Sequence, residues 1–266
     1  MKIVFIGAGN LATNLAKALF KAGNDIIQVY SRTETSARML AEKVDAEALT
    51  DVDRIVDKAD LYVLSVKDSV LAELIEKLGA ARKSGLFVHT AGSISVDVFN
   101  GKTERYGVLY PMQSFSKQKE VDFKHIPFFI EANNDEDCNL LHALASSLSD
   151  RVYDLGSEAR KHLHLAAVFA CNFANHCYEL SAEVLDKYNI PFSVMLQLID
   201  ETSRKVHTVS PIDAQTGPAV RYDENVIGMQ RELLAGNPRI QKIYDMMSSS
   251  IHEVAKKKEN KEKKYK

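Results

Sequence analysis

A line of polar side chains on a long predicted helix holds the residues best suited to proton transfer. His164, Asn172 and His176 are separated by multiples of four residues, and Val168 completes the series, so the four share one helix face. The opposite face is apolar. Burying an unpaired polar group costs roughly 1–3 kcal/mol, so this line needs partners or a wet cleft. We expect it to face a cleft between two domains, unless it is a structural or solvent-facing stripe.

Three residues in this half of the chain are candidates for catalysis. His164 is the candidate general acid because an imidazole ordinarily titrates near neutral pH, although a structural role is as well supported. Asn172 is a mid-helix amide that can donate to a substrate carbonyl and accept from an amide. Arg221 lies in the loop 210–223 and offers a planar fork to a carboxylate or phosphate. Pairing of Arg221 with Asp213 or Asp223 is the alternative.

Other catalytic chemistries find little support. His162 and His164 are two residues apart, which points them to different sides of a helix, and the chain has no HExxH motif. We therefore expect no metal site. The chain also has no Gly-x-Ser-x-Gly motif, and Cys171 and Cys177 look like small core residues, so we expect no nucleophilic catalysis.

A glycine-rich loop lies at the N-terminus, between a predicted strand and a predicted helix. Gly7 permits a tight turn, Gly9 lets a diphosphate approach the backbone, and Ala12 lets the helix pack close to the strand. The free amides of the first helical turn attract phosphate. An ordinary tight turn is the alternative. We predict that a dinucleotide contacts Gly7, Ala8, Gly9, Asn10 and Leu11.

The end of the second predicted strand indicates which dinucleotide binds. NAD sites usually place an acidic residue about 20 positions past the glycines, whereas an Arg there accommodates the 2′-phosphate of NADP. Arg32 lies 23 positions beyond Gly9, between Ser31 and Thr33, and no acid occurs before Glu34. We predict NADP(H), held in part by Ser31, Arg32 and Thr33. A plain surface role for Arg32 is the alternative.

Two further strands end at the same edge of the predicted sheet. Ligands of such sheets lie beyond the carboxyl ends of the strands, so the residues that follow these strands should lie along the cofactor. They are Ser65, Val66 and Lys67 after one strand and Thr90, Ala91 and Gly92 after the next.

The elements that must position these residues alternate through the first half of the chain. Their patterns predict strands at 2–6, 25–30, 60–67, 86–89, 106–110, 127–130 and 151–153, with helices between most of them. This predicts an α/β fold with a doubly wound, Rossmann-like sheet over residues 1–155. The later segments 158–188, 192–207, 223–234 and 238–256 are predicted helices. We predict an all-helical substrate and dimerisation domain over 156–256 and a basic, disordered tail over 257–266.

Composition bounds the function classes. The 266 residues are 45% hydrophobic, which is enough to form hydrophobic cores. We find no secretory signal and no apolar run near the roughly 18 residues that a membrane span needs. Three cysteines argue against a disulfide framework, so we expect a cytoplasmic protein. The formal charge is −2 although seven lysines fall within Lys256–Lys266, so the body is acidic. We expect neither nucleic acid nor membrane as a partner.

Several of these motifs resemble known families. The loop 6–12, Ser31-Arg32-Thr33, Ser65-Val66-Lys67 and Ala91-Gly92-Ser93 resemble two-domain NADP-dependent reductases of the 6-phosphogluconate and β-hydroxyacid dehydrogenase type. Within that set, the chain more closely resembles pyrroline-5-carboxylate reductase and the deazaflavin-dependent NADP oxidoreductases. The segments 89–93, 110–115, 170–173 and 216–221 resemble a family of oxidoreductases that pairs a Rossmann-like domain with a helical domain of unknown function.

The resemblance implies the fold, NADP binding and a homodimer, but no substrate. Val168 stands where the dehydrogenases carry a Lys, and Tyr110 stands where the closer family has a His, so the proton donor stays open. We expect hydride transfer between NADPH and a small C=O or C=N substrate held between the domains. The alternative is an NADP-binding sensor or assembly protein without turnover.

Overall fold

The structure is a computed structural model that describes residues 1–79 and 85–264, apart from the side chain of Lys264. Contacts divide the chain into two compact units, Met1–Asn172 and Phe173–Lys266. The predicted boundary after residue 155 assigned residues 156–172 to the helical domain, whereas these contacts group them with the sheet.

An eight-stranded sheet forms the centre of the first unit. Its strands are β1 (Lys2–Ile6), β2 (Asp25–Tyr30), β3 (Glu47–Leu49), β4 (Leu61–Leu64), β5 (Leu86–His89), β6 (Arg105–Pro111), β7 (Phe128–Ala132) and β8 (Val152–Asp154). Their order is β3-β2-β1-β4-β5-β6-β7-β8. β6 and β7 pair antiparallel, and the other neighbours pair parallel. The predicted doubly wound fold is confirmed, and its chain order reverses between β1 and β4, which is where such sheets bind ligands.

The described residues of the first unit form five α-helices, and the first four of them pack on the two faces of this sheet. The five helices are α1 (Asn10–Lys21), α2 (Glu34–Ala41), α3 (Asp68–Gly79), α4 (Asp135–Ser146) and α5 (Ser157–Ala167). Successive residues of β1 point to opposite faces, so Ile3 joins the core beneath α1 while Val4 joins the core beneath α3. Both core clusters consist of buried residues around the sheet, so the strand ends form a rigid base for the loops that follow them.

A π-helix, Val168–Phe173, follows α5, and the next element is α6 (Ala174–Asp186). The sequence predicted one uninterrupted helix over 158–188. A π-helix has a wider turn than an α-helix, so it interrupts the period on which the predicted polar line depends. Short π segments inside helices are frequent at functional sites.

The remaining described elements of the second unit are helical, which agrees with the predicted all-helical character. They are α7 (Leu196–Lys205), preceded by a 3₁₀ turn, then α8 (Pro211–Ala214), α9 (Pro218–Arg221), α10 (Glu224–Leu233) and α11 (Pro238–Lys264). Two short helices, α8 and α9, nevertheless lie within the segment 210–223 that we predicted to be a loop, and each of them begins at a proline, which suits the first position of a helix. None of the helices in the described part of the chain is long and apolar enough to cross a membrane.

The C-terminal tail differs from its prediction. We expected disorder over 257–266, but α11 continues to Lys264, and residues 265–266 lie outside the described residues. Lysine and glutamate are good helix formers, and Lys258 lies one turn before Glu262 and also pairs with Asp213. Helix propensity and pairing therefore outweigh the like charges of the lysines.

Candidate cofactor site

One cavity of about 660 Å³ lies at the carboxyl edge of the sheet, wholly within the first unit. It brings together all the residues predicted to bind the cofactor: Gly7, Ala8, Gly9, Asn10, Leu11, Ser31, Arg32, Thr33, Ser65, Val66, Lys67, Thr90, Ala91 and Gly92. Its other lining residues are Tyr30, Ser36, Asp68, Val70, Leu74, Ser93, Tyr110, Lys117 and His164. Loops far apart in sequence thus form one continuous surface.

The glycine loop has the shape that a diphosphate requires. Gly7 has φ +114°, and a Cβ there would lie 2.1 Å from the carbonyl oxygen of Ser65, so no other residue fits. A Cβ on Gly9 would meet nothing within 4 Å, which leaves open space in front of the backbone. Gly9 is the N-cap of α1 and no side chain caps this helix. The first-turn amides are therefore available to an anion.

Three cationic side chains, Arg32, Lys67 and Lys117, line the cavity. Arg32 is exposed at the end of β2 and forms no ion pair with any residue of the described ranges. Lys117 belongs to the segment after β6, which Asn14 fixes by donating to the carbonyl of Ser116 at 3.0 Å. Hydroxyls of Ser31, Thr33 and Ser36 accompany Arg32, and together these groups suit a phosphate.

Another wall of the cavity carries an ionisable pair. The hydroxyl of Tyr110, at the carboxyl end of β6, lies 3.0 Å from Nδ1 of His164 on α5. Tyr110 is 8% exposed, and burial raises the pKa of its hydroxyl, although the charge of Arg160 opposes this. Gly92 leaves room for the pair, since a Cβ there would lie 2.5 Å from Nδ1 of His164 and 2.9 Å from Cζ of Tyr110.

A buried ion pair fixes the helix that carries His164. Arg160 is fully buried, pairs with Glu131 of β7 and donates to the carbonyl of Ile94 at 2.6 Å. Glu131 also accepts from the backbone amide of Ser157 at 3.0 Å, at the first residue of α5. Because Arg160 and His164 are four residues apart, they share a helix face, and the ion pair sets the position of His164.

His89, at the end of β5, is buried behind this wall. Burial, with a smaller effect of Arg160, lowers the pKa of His89 to about 3, so the ring is neutral near pH 7. Its Nδ1 accepts from the amide of Ala91 at 3.1 Å and its ring stacks on Phe99. His89 therefore shapes the loop 90–93.

The other two candidate catalytic residues do not line this cavity. Asn172 is an exposed residue of the π-helix at the end of the first unit, and Arg221 is an exposed residue at the end of α9 in the second unit. The roles of Asn172, His164 and Arg221 stay predictions. Tyr110, Lys117 and Ser36 were missed as lining residues. Tyr110 offered a signal, because it ends a parallel strand just as Ser65 and Thr90 follow theirs.

One side-chain group was not foreseen when we expected no metal site. Ligand atoms of Cys138, His142 and Asp154 lie within 4.8 Å of one another. Nε2 of His142 is 2.6 Å from Asp154, and the thiol of Cys138 donates to the same carboxylate at 3.4 Å. The hydrogen bond from His142 lowers the pKa of Asp154, while burial raises the pKa of Cys138. These bonds join α4 to the edge strand β8.

Comparison with known proteins agrees with this geometry. Residues 2–93 match the family described as NADP oxidoreductase, coenzyme F420-dependent, and residues 126–251 match a domain of unknown function, DUF2520. A solved structure of Bacteroides fragilis BF3122, assigned as an NADP oxidoreductase, is 61% identical over 95% of this chain and 98% of its own, with a TM-score of 0.91. This chain belongs to the NADP oxidoreductase family.

More distant structures share the fold of this NADP oxidoreductase. Thermotoga maritima protein TM1727 has 24% identity and a TM-score of 0.77, covering 96% of this chain and 99% of its own. An imine reductase from Myxococcus stipitatus in complex with NADP⁺ has 16% identity and a TM-score of 0.66, covering 96% and 94%. The comparison with curated proteins gave no match.

The enzyme is an NADP-dependent oxidoreductase, and its cavity fits that cofactor. The open face of Gly9 and the uncapped start of α1 suit the diphosphate, while Arg32 and the hydroxyls beside it suit the 2′-phosphate. Among the described residues, the lining ones next to Arg32 in sequence are Tyr30, Ser31, Thr33 and Ser36, and none of these is acidic, whereas an NAD site would place an acidic residue here.

Proposed function

We propose that this NADP oxidoreductase transfers a hydride between NADP(H) and a small molecule that carries a C=O or C=N bond. The observation that carries the proposal is the hydrogen-bonded Tyr110 and His164 in the same cavity as the dinucleotide loop. The reduced nicotinamide supplies the hydride when it is bound, so the protein's own residues must supply the proton.

His164 is the proposed general acid. It lines the cavity and has Tyr110 as a hydrogen-bonding partner, and an imidazole is the side chain best matched to proton transfer near neutral pH. We carry over the predicted roles of Asn172, which orients the substrate or the nicotinamide, and of Arg221, which anchors an anionic group. The imine reductase that shares the fold acts, by its name, on a C=N bond, which makes imines the first compounds to test.

The test is NADPH consumption, followed at the nicotinamide absorbance, with a panel of imines, keto acids and a deazaflavin. Consumption with at least one compound is expected, and His164→Gln should slow it. Consumption of only the deazaflavin would assign the protein to carrier reduction instead. Tight NADPH binding without consumption of any compound would contradict the proposal and favour a sensor or assembly protein.

A further inference from the structure

Tyr110 and His164 both line the cavity, but they differ in how far they are exposed to solvent. Tyr110 is 8% exposed and lies at the end of a central strand, whereas His164 is half-buried on α5. A proton that leaves the buried hydroxyl must be replaced, and the atom placed to replace it is Nδ1 of His164, 3.0 Å away. The half-buried ring can in turn exchange protons with water.

We propose that Tyr110 delivers the proton to the substrate and that His164 returns a proton to Tyr110. This relay rests on the proposed reductase function. It keeps His164 as the source of the proton and places Tyr110 between His164 and the substrate, as the group that contacts the substrate. A tyrosine ordinarily holds its proton near neutral pH, and burial, which raises the pKa of the Tyr110 hydroxyl, keeps it protonated. Because burial also disfavours the charged phenolate, the return of a proton from His164 is what lets Tyr110 give up its own.

The relay balances in atoms and charge. The substrate carbon receives a hydride from the reduced nicotinamide, and its oxygen or nitrogen receives a proton as the O–H bond of Tyr110 breaks. The Nδ1–H bond of His164, in its imidazolium form, then breaks and the O–H bond of Tyr110 reforms, which leaves His164 as a neutral imidazole protonated at Nε2. His164 finally takes a proton from water, so each turnover consumes one hydride and one solvent proton.

The surroundings of the pair hold its two members at a fixed distance. Gly92 packs directly against the pair, because even one added carbon there would lie within 3 Å of both side chains. The ion pair of Arg160 with Glu131 fixes α5, which carries His164. A proton transfer of this kind needs donor and acceptor atoms within about 2.6–3.2 Å, which the observed spacing satisfies.

The first test needs no substrate. Nitrogen NMR of the imidazole rings is recorded for the wild-type protein and for Tyr110→Phe, both with NADP⁺ added. The resonances of His164 are assigned by their loss in His164→Gln. Removal of the hydroxyl should shift the Nδ1 resonance of His164. The matched control is Tyr106→Phe, whose hydroxyl bonds to Asn100 instead, and it should leave His164 unchanged. An unchanged Nδ1 resonance in Tyr110→Phe would overturn the relay.

The second test uses the first compound that the wild-type enzyme reduces. Tyr110→Phe should lower kcat by about 10²-fold or more while the Kd for NADPH stays the same. Adding His164→Gln to Tyr110→Phe should lower kcat little further, because the two act in series. A normal kcat in Tyr110→Phe would overturn the relay but would not contradict the proposed function. A wild-type protein that reduces no compound overturns the proposed function, and the relay with it.

Discussion

Arg32 is the residue on which the preference for NADP depends. It is an exposed cation in the cavity wall, and a partner phosphate is worth about 1.5–3 kcal/mol to such a group. We expect Arg32→Ala to weaken NADPH binding about tenfold or more and to leave NADH binding unchanged. Titration calorimetry with both dinucleotides measures this. Arg38→Ala is the control, because Arg38 pairs with Glu34 and does not line the cavity. Equal NADPH affinity in the two variants would refute the assignment.

His89 makes the stability of the protein depend on pH. Its folded pKa of about 3 lies below the ordinary value of 6.5, so below pH 6.5 the unfolded chain binds a proton that the folded chain does not. The stability that His89 contributes is therefore present above pH 6.5 and is lost as the pH falls towards 3.

Replacing His89 should weaken this pH dependence. An asparagine at this position keeps an acceptor for the amide of Ala91 but does not titrate. As the pH falls from 6.5 to 5.5, the unfolding free energy of His89→Asn should therefore decrease by about 1 kcal/mol less than that of the wild type. Urea unfolding at the two pH values measures the difference. The exposed His207→Asn variant should follow wild type. A wild-type slope in His89→Asn would show that His89 titrates normally.

At the scale of elements, the loop between β1 and α1 has two glycines with different roles: Gly7 is needed for folding and Gly9 for binding the cofactor. Gly7→Ala places a side chain at φ +114° and 2.1 Å from the Ser65 carbonyl, so it should lower the unfolding free energy by about 2 kcal/mol or more. In Gly9→Ala the added methyl group contacts no atom of the protein, so the variant should unfold like wild type. The same methyl group should block the diphosphate and weaken NADPH binding about tenfold. Thermal unfolding and NADPH titration measure both effects. Normal NADPH affinity in Gly9→Ala would argue against this path for the diphosphate.

The elements that could be predicted from the sequence are those with a local signal. β1, the glycine loop and α1 follow each other within twenty residues, and each shows its own pattern of apolar, small or helix-forming residues. β3 was missed because Glu47-Ala48-Leu49 has no such pattern, and it exists through its pairing with β2. The predicted strand ends identified residues that line the cavity, because the loops that follow parallel strands all lie at the carboxyl edge of the sheet.

Contacts between distant elements could not be predicted in this way. Tyr110 and His164 are 54 residues apart, and their meeting depends on how the ion pair of Arg160 with Glu131 fixes α5 on the sheet. The predicted line through His164 and Asn172 assumed an unbroken α-helical period, which the π-helix interrupts. Spacing along one helix was therefore a poorer guide to the cavity wall than the ends of the strands were.

At the scale of the whole molecule, the two units differ in how well they bury apolar side chains. The sheet of the first unit has a core of buried side chains on each face. In the second unit, the buried apolar residues among those described are Ala219 and Ile240, and this unit holds most of the large apolar side chains that are exposed. An apolar surface of this extent usually marks an interface between proteins.

We therefore propose that the second unit joins two copies of the chain, as the resemblance implies. Light scattering after gel filtration should give twice the monomer mass. Leu198 on α7 is 63% exposed, and Leu198→Glu should raise the dissociation constant of the dimer because a buried carboxylate loses its hydration. Phe20→Glu, on the first unit, is the control and should leave the mass unchanged. A monomeric wild-type protein at micromolar concentration would contradict the dimer. A dimer unaffected by Leu198→Glu would place the interface away from α7.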